Sequence, residues 1–148
     1  MTSGLDRYLQ EMAERLNATE VKAGFYGGAT YPDGELVSQV AAGNEWGDPA
    51  NHQPPRPFFR IAVKDHKKEW AETIAKGLEQ GRDARTVLEV VGAQIKGDVQ
   101  QSIADLMEPG LSPVTIEKRR TRADRPNSST KPLVDTGVMI GDVNYEVT

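Results

Sequence analysis

Residues 57–106, PFFRIAVKDHKKEWAETIAKGLEQGRDARTVLEVVGAQIKGDVQQSIADL, carry two long amphipathic patterns separated by one short break. In the first, Phe58 or Phe59, Ala62, Val63, His66, Trp70, Ile74 and Leu78 recur at spacings of three and four, and Pro57 suits the opening turn of a helix. The pattern runs to Gly81 and predicts about six turns at 3.6 residues per turn. In the second, Asp83 can cap a helix whose inner stripe is Val87, Leu88, Val91, Ile95, Ser102, Ile103 and Leu106, ended by Pro109-Gly110. A break this short between helices this long folds them back as an antiparallel pair. Their facing stripes are expected to form most of the core, with Trp70 packed between them.

Upstream, Leu5, Tyr8, Leu9, Met12 and Leu16 line one face of a predicted helix, with Asp6, Glu11, Glu14 and Arg15 outside and Asn17 at its end. Val21, Ala23 and Phe25 then alternate with Glu20, Lys22 and Gly24, the period of a half-buried strand. Turn chemistry follows in Gly27-Gly28 and Tyr31-Pro32-Asp33-Gly34. Leu36, Val37, Val40, Ala41 and Asn44 predict a short helix that Gly43 weakens and Gly47-Asp48-Pro49 stops. Asn51-His52-Gln53-Pro54-Pro55-Arg56-Pro57 must be extended, because each proline lacks an amide donor and pushes its predecessor out of the α region.

Downstream, Ser112 to Glu117 opens a further helical turn, but Lys118 through Thr130 is polar and nearly free of apolar residues. A basic, mobile loop is expected at about 118–131. Leu133, Val134, Val138, Met139 and Ile140 fit a short helix, and Val143, Tyr145 and Val147 alternate as a closing strand. The predicted fold class is α+β: a pair of long antiparallel helices with shorter helices packed on a small, mainly antiparallel sheet. A chain of 148 residues fits one domain, 1–148, with one core.

Composition narrows the chemistry. The formal net charge of −4 does not favour nucleic acid or an anionic membrane over the whole molecule, so any basic surface must be local. With no Cys and only two His, the thiolate and imidazole sets of ordinary zinc sites, a disulfide and a Cys nucleophile are all excluded within one chain. No window approaches the run of about 18 apolar residues that a membrane helix needs, and the N-terminus does not resemble a secretion signal. A soluble protein made in the cytoplasm is expected.

No Walker loop, nucleophile elbow, zinc helix or dinucleotide fingerprint is present. His66, beside Trp70 on the apolar stripe, is expected to be a hydrogen-bonded core or interface residue, and His52 lies in the proline-rich loop without partners. Glu45 beside Trp46 lacks a matched second carboxylate for acid–base work and is expected to be a solvated surface group. No catalytic residue, cofactor or metal site is predicted, and the chain is expected not to be an enzyme. Lys118, Arg119, Arg120, Arg122, Arg125 and Lys131 against Glu117 and Asp124 give a local charge of +4. Of these, Lys118, Arg119, Arg120, Arg122 and Arg125 are the candidates for contact with phosphates or an acidic partner. No aromatic residues interleave for base stacking.

Several segments, taken in order, carry a resemblance. They are Val21-Lys22-Ala23-Gly24-Phe25 with Tyr31-Pro32-Asp33-Gly34, the helix end Asn44-Glu45-Trp46-Gly47, and the loop Pro54-Pro55-Arg56-Pro57-Phe58-Phe59-Arg60. Leu111 to Arg119 and Lys131-Pro132-Leu133-Val134-Asp135-Thr136-Gly137 follow. Together they resemble the tail-completion and virion-morphogenesis group of tailed-bacteriophage neck proteins, with Gln53 standing where an apolar residue is usual. The resemblance implies a structural virion protein that completes the tail or joins tail to head, without catalysis. It also implies a ring of identical subunits, with six expected, contacts to other neck or tail proteins, and a place at the neck or tail end of the virion after assembly in the host cytoplasm. Arg56, Phe58, Phe59 and Trp46 are the expected subunit or partner contacts, Arg56 because its planar charged fork sits on a rigid loop. The alternatives are a nucleic-acid-binding assembly factor using the basic loop, with non-specific DNA contact, and a tail terminator. An enzyme acting on cell wall or DNA stands third.

Overall fold

In a computed structural model of the chain, residues 3–106, 110–111, 113–123 and 138–148 are described. The elements are α1 (Gly4–Arg15), β1 (Val21–Phe25), α2 (Val37–Trp46), α3 (Phe58–Glu79), α4 (Ala84–Asp105), α5 (Pro113–Thr121), α6 (Val138–Asp142) and β2 (Val143–Val147), with one 3-10 turn at Pro49–Asn51. The fold is α+β, as the periodicities predict.

Helices α3 and α4 are the long pair. Ser102 Oγ donates to the Phe58 carbonyl at 2.6 Å, the Trp70 indole N–H to Asp98 at 2.6 Å, and Thr73 Oγ1 to Gln94 at 2.8 Å. The partner number falls as the other rises, which is antiparallel register. At the turn end the axes approach so closely that a Cβ on Gly77 would lie 2.6 Å from a Val87 methyl. Asp83 caps α4, accepting from the Thr86 amide and, at 2.6 Å, from the Thr86 hydroxyl. The inner stripe of α4 comprises Val87, Leu88, Val91, Val99, Ile103 and the capping Leu106. Val99, absent from the predicted stripe, is fully buried.

The chain's two ends make the sheet. β1 and β2 pair antiparallel from Val21↔Val147 to Phe25↔Val143. Strand alternation turns Val21, Ala23 and Phe25 to the same side as Val143, Tyr145 and Val147. That side lies on α4, where Gly92 leaves room for the Tyr145 ring and no room for a Cβ. Phe25 meets Phe58 edge to face, with ring centroids 6.0 Å apart, and so joins sheet to α3. The core gathers Val37, Ala41, Phe58, Ala62, Val99, Ile103, Leu106, Met139 and Val143.

Four expectations are corrected. Helix α1 starts from a Ser3–Asp6 capping box, but none of its residues is buried: Leu5, Tyr8 and Leu9 face solvent, as does Leu16 just past its end, and Met12 is half-buried. Asn17 stands beyond its end and ties it to α4, donating to Asp83 and accepting from the Arg85 amide, both at 2.9 Å. Trp70 is half-buried at the edge of the helix pair because its N–H needs the Asp98 carboxylate there. Lastly, α5 continues helical through Thr121, so the expected loop does not begin at Lys118. Its remainder from Asp124 onward lies outside the described residues, as do Pro109, Leu133 and Val134.

Candidate functional site

The junction between α2 and α3 collects most of the residues singled out for partner contact. Gly47 turns the chain out of α2 at φ 82°, in a spot where a Cβ would lie 3.0 Å from Pro55. Asp48 and Gln53 then exchange backbone hydrogen bonds, each at 2.9 Å, and close a small loop around the 3-10 turn. Gln53 reaches back to donate its side-chain amide to Asn44 Oδ1 at 2.7 Å. A polar residue here thus gains a partner that an apolar one would not.

Glu45 is the pivot. Helix α3 begins without a side-chain cap of its own, because Pro57 stands in the capping position. Glu45 Oε2 accepts from the Phe59 amide at 2.9 Å, and Oε1 from the Arg60 amide at 3.0 Å and from Arg60 Nε at 2.9 Å. The expectation of a solvated carboxylate is therefore wrong: Glu45 is 7% exposed. Its charge sits at the positive end of a long helix and against a guanidinium, and the two together offset desolvation. Separation in sequence hid this, since Glu45 and Arg60 are fifteen positions apart.

The same guanidinium covers Trp46, its Cζ 4.2 Å from the ring centroid. Trp46 is otherwise 66% exposed, so of the four expected contact residues it offers most surface. Phe58 is 1% exposed and belongs to the core; Phe59 is half-buried against it. Arg56 is likewise corrected. Its side chain is buried, Nη2 donates to the Gly110 carbonyl at 3.2 Å, and its amide donates to the Asn44 carbonyl. Burial, followed by the nearby Arg119 charge, lowers its pKa from the ordinary value. Arg56 fastens the proline-rich connector to the segment leading into α5, which is an intramolecular task.

The basic segment is less available than its composition suggests. Arg119 is buried, and Arg120 is held by Glu117 on its own helix at 2.7 Å. Glu117 raises the Arg120 pKa through hydrogen bonding and charge. Lys118 is exposed on α5, whereas Arg125 lies outside the described residues.

One apolar stripe left at the surface is the one that periodicity assigned to α1. On α1, Leu5 is 66%, Tyr8 58%, Leu9 54% and Leu16 58% exposed. Its carboxy end is tethered to the rest of the subunit: Arg15 donates to the Leu78 carbonyl at 3.1 Å, and Arg85 Nη2 to the carbonyl of Asn17, just past the helix, at 3.4 Å. An amphipathic stripe cannot report from sequence whether its cover comes from the same chain.

Among the described residues no helix is long and apolar enough to cross a membrane. Comparison with protein-family models, curated proteins and solved structures finds no match for the chain.

Proposed function

We propose that this chain is a structural protein of a tailed-phage virion, acting without catalysis as a subunit of a ring that completes the tail or joins it to the head. The observation that carries the reading is the bare apolar stripe of α1. A helix of 12 residues is marginal in water by itself, and α1 buries none of its residues within the subunit. Its stripe gains stability only when another surface covers it, and subunit assembly supplies such a surface. The resemblance of five ordered motifs to the neck-protein group supports the same reading, and the Gly47 to Pro57 connector, stiffened by its prolines and the Asp48–Gln53 pairing, suits a part whose task is shape. Paired Arg120 and buried Arg119 leave the DNA-binding alternative with less charge to work with.

The experiment is a double substitution, Leu5→Ser with Leu9→Ser, in a phage complementation assay with sedimentation of the purified protein. The subunit's melting temperature is expected to stay within about 2 °C, because neither side chain is buried, while ring formation and phage yield fall at least tenfold. Normal rings and normal yield from the double variant would overturn the reading. Virions lacking the protein are expected to leave separate full heads and tails of normal length; overlong tails would indicate termination instead.

A further inference from the structure

One cluster of titratable side chains is untouched by the assembly reading. His66 and Glu69 lie one turn apart on α3, and Asp98 faces them from α4. His66 Nδ1 stands 3.2 Å from Glu69 Oε2 and 3.8 Å from Asp98 Oδ2, and the three donor atoms all lie within 4.8 Å of one another. We propose that His66, Glu69 and Asp98 bind a divalent transition-metal ion of the zinc class, which clips α3 to α4.

The geometry argues for an ion in two ways. Ligand atoms placed tetrahedrally about 2.0–2.1 Å from zinc are about 3.4 Å apart, close to the 3.2 Å between His66 and Glu69 and somewhat less than the 3.8 Å between His66 and Asp98. A histidine and a carboxylate three positions apart on one helix, with carboxylates from facing helices, also build metal sites inside helix bundles, there in the order Glu-x-x-His and here as His66 followed by Glu69. The Trp70 indole donates at 2.6 Å to Asp98 Oδ2, the same oxygen that faces His66, and so fixes where that oxygen sits; the indole plane lies 22° from that of the His66 ring, with centroids 6.3 Å apart.

The remaining coordination positions would open on a groove of about 420 Å³ along the α3–α4 seam, whose wall includes Asp65, His66, Asp98, Gln101 and Asp105. One imidazole nitrogen with two carboxylate oxygens suits zinc, cobalt or nickel better than magnesium or calcium, which take oxygen ligands throughout. Charge is compatible as well. Glu69 and Asp98 face His66, and Asp65 lines the adjoining groove, so negative charge surrounds the place an ion would take.

The test is calorimetric titration of the untagged, metal-free chain with Zn²⁺ at pH 7.5, beside Mg²⁺ and Co²⁺. One Zn²⁺ per chain is expected to bind saturably and raise the melting temperature. Co²⁺ should compete and develop the visible absorption of a low-coordinate site, and Mg²⁺ should leave both readouts unchanged. His66→Gln and Glu69→Gln, both at partly exposed positions, should each weaken Zn²⁺ binding at least tenfold and abolish the thermal shift, whereas His52→Gln should change neither. Circular dichroism of the metal-free variants checks that the helices persist. Absence of saturable Zn²⁺ binding, or binding that survives His66→Gln unaltered, would overturn the proposal.

Discussion

Glu45 and Arg60 meet three times. The Glu45 carboxylate accepts from the Arg60 amide at 3.0 Å and from its Nε at 2.9 Å, and the Glu45 carbonyl accepts from Arg60 Nη2 at 2.6 Å. One residue at the end of a short helix thereby sets where the longest helical pair begins, and the Arg60 side chain then lies over the exposed Trp46. The fold and the surface offered to a partner share this contact.

Glu45→Ala should destabilise the subunit by about 1–3 kcal/mol, since it removes the cap of α3 and leaves two amide donors near the core without their acceptor. Glu45→Gln should recover only part, because an amide offers one acceptor oxygen and turns N–H donors toward the helix end. Urea denaturation of the three proteins checks the order.

Arg56→Ala is expected to act on folding first. The side chain is buried and bonded to the Gly110 carbonyl, so truncation removes a charge-assisted hydrogen bond together with the packing of its stem, at about 2–3 kcal/mol. A lowered melting temperature of the isolated subunit checks this. An unchanged transition with defective assembly would return Arg56 to the interface.

Two glycines on α4 should respond oppositely to alanine. Gly97→Ala meets open space and should stabilise by about 0.5–1 kcal/mol through helix propensity alone. Gly92→Ala gains the same propensity but drives a methyl into the Tyr145 ring near its root, where overpacking costs about 1–3 kcal/mol. The contact is to ring atoms next to the side chain's root, which must shift with it, so the net effect should be neutral to destabilising. Parallel denaturation curves separate the two positions.

Much of the fold was legible because each element has a strong period of its own. The stripes of α3 and α4, the alternation in β1 and β2, and the break near Gly81 each specify local structure without help from afar. The candidate contact residues were less legible. Arg56 stands on a proline-rich connector and Phe58 and Phe59 open the helix after it, where periodicity leaves open which phenylalanine faces inward; only the packing of α3 on the core shows that Phe58 and Arg56 are buried. Glu45 read as a surface group because its partners, the first amides of α3, acquire a direction only once that helix has been placed.

The amino-acid sequence by itself determined where helices and strands form, since backbone preference and apolar period act over a few residues. It also determined the charge balance and the absence of cysteine. Tertiary structure alone decided which apolar faces are covered: the stripe of α1 has the same helical spacing as the predicted stripes of α3 and α4, yet it remains in solvent. The physical reason is range. Periodicity states that a face requires a neighbour, but the neighbour's identity depends on contacts between residues far apart in the chain, such as Asn17 with Asp83 and His66 with Asp98.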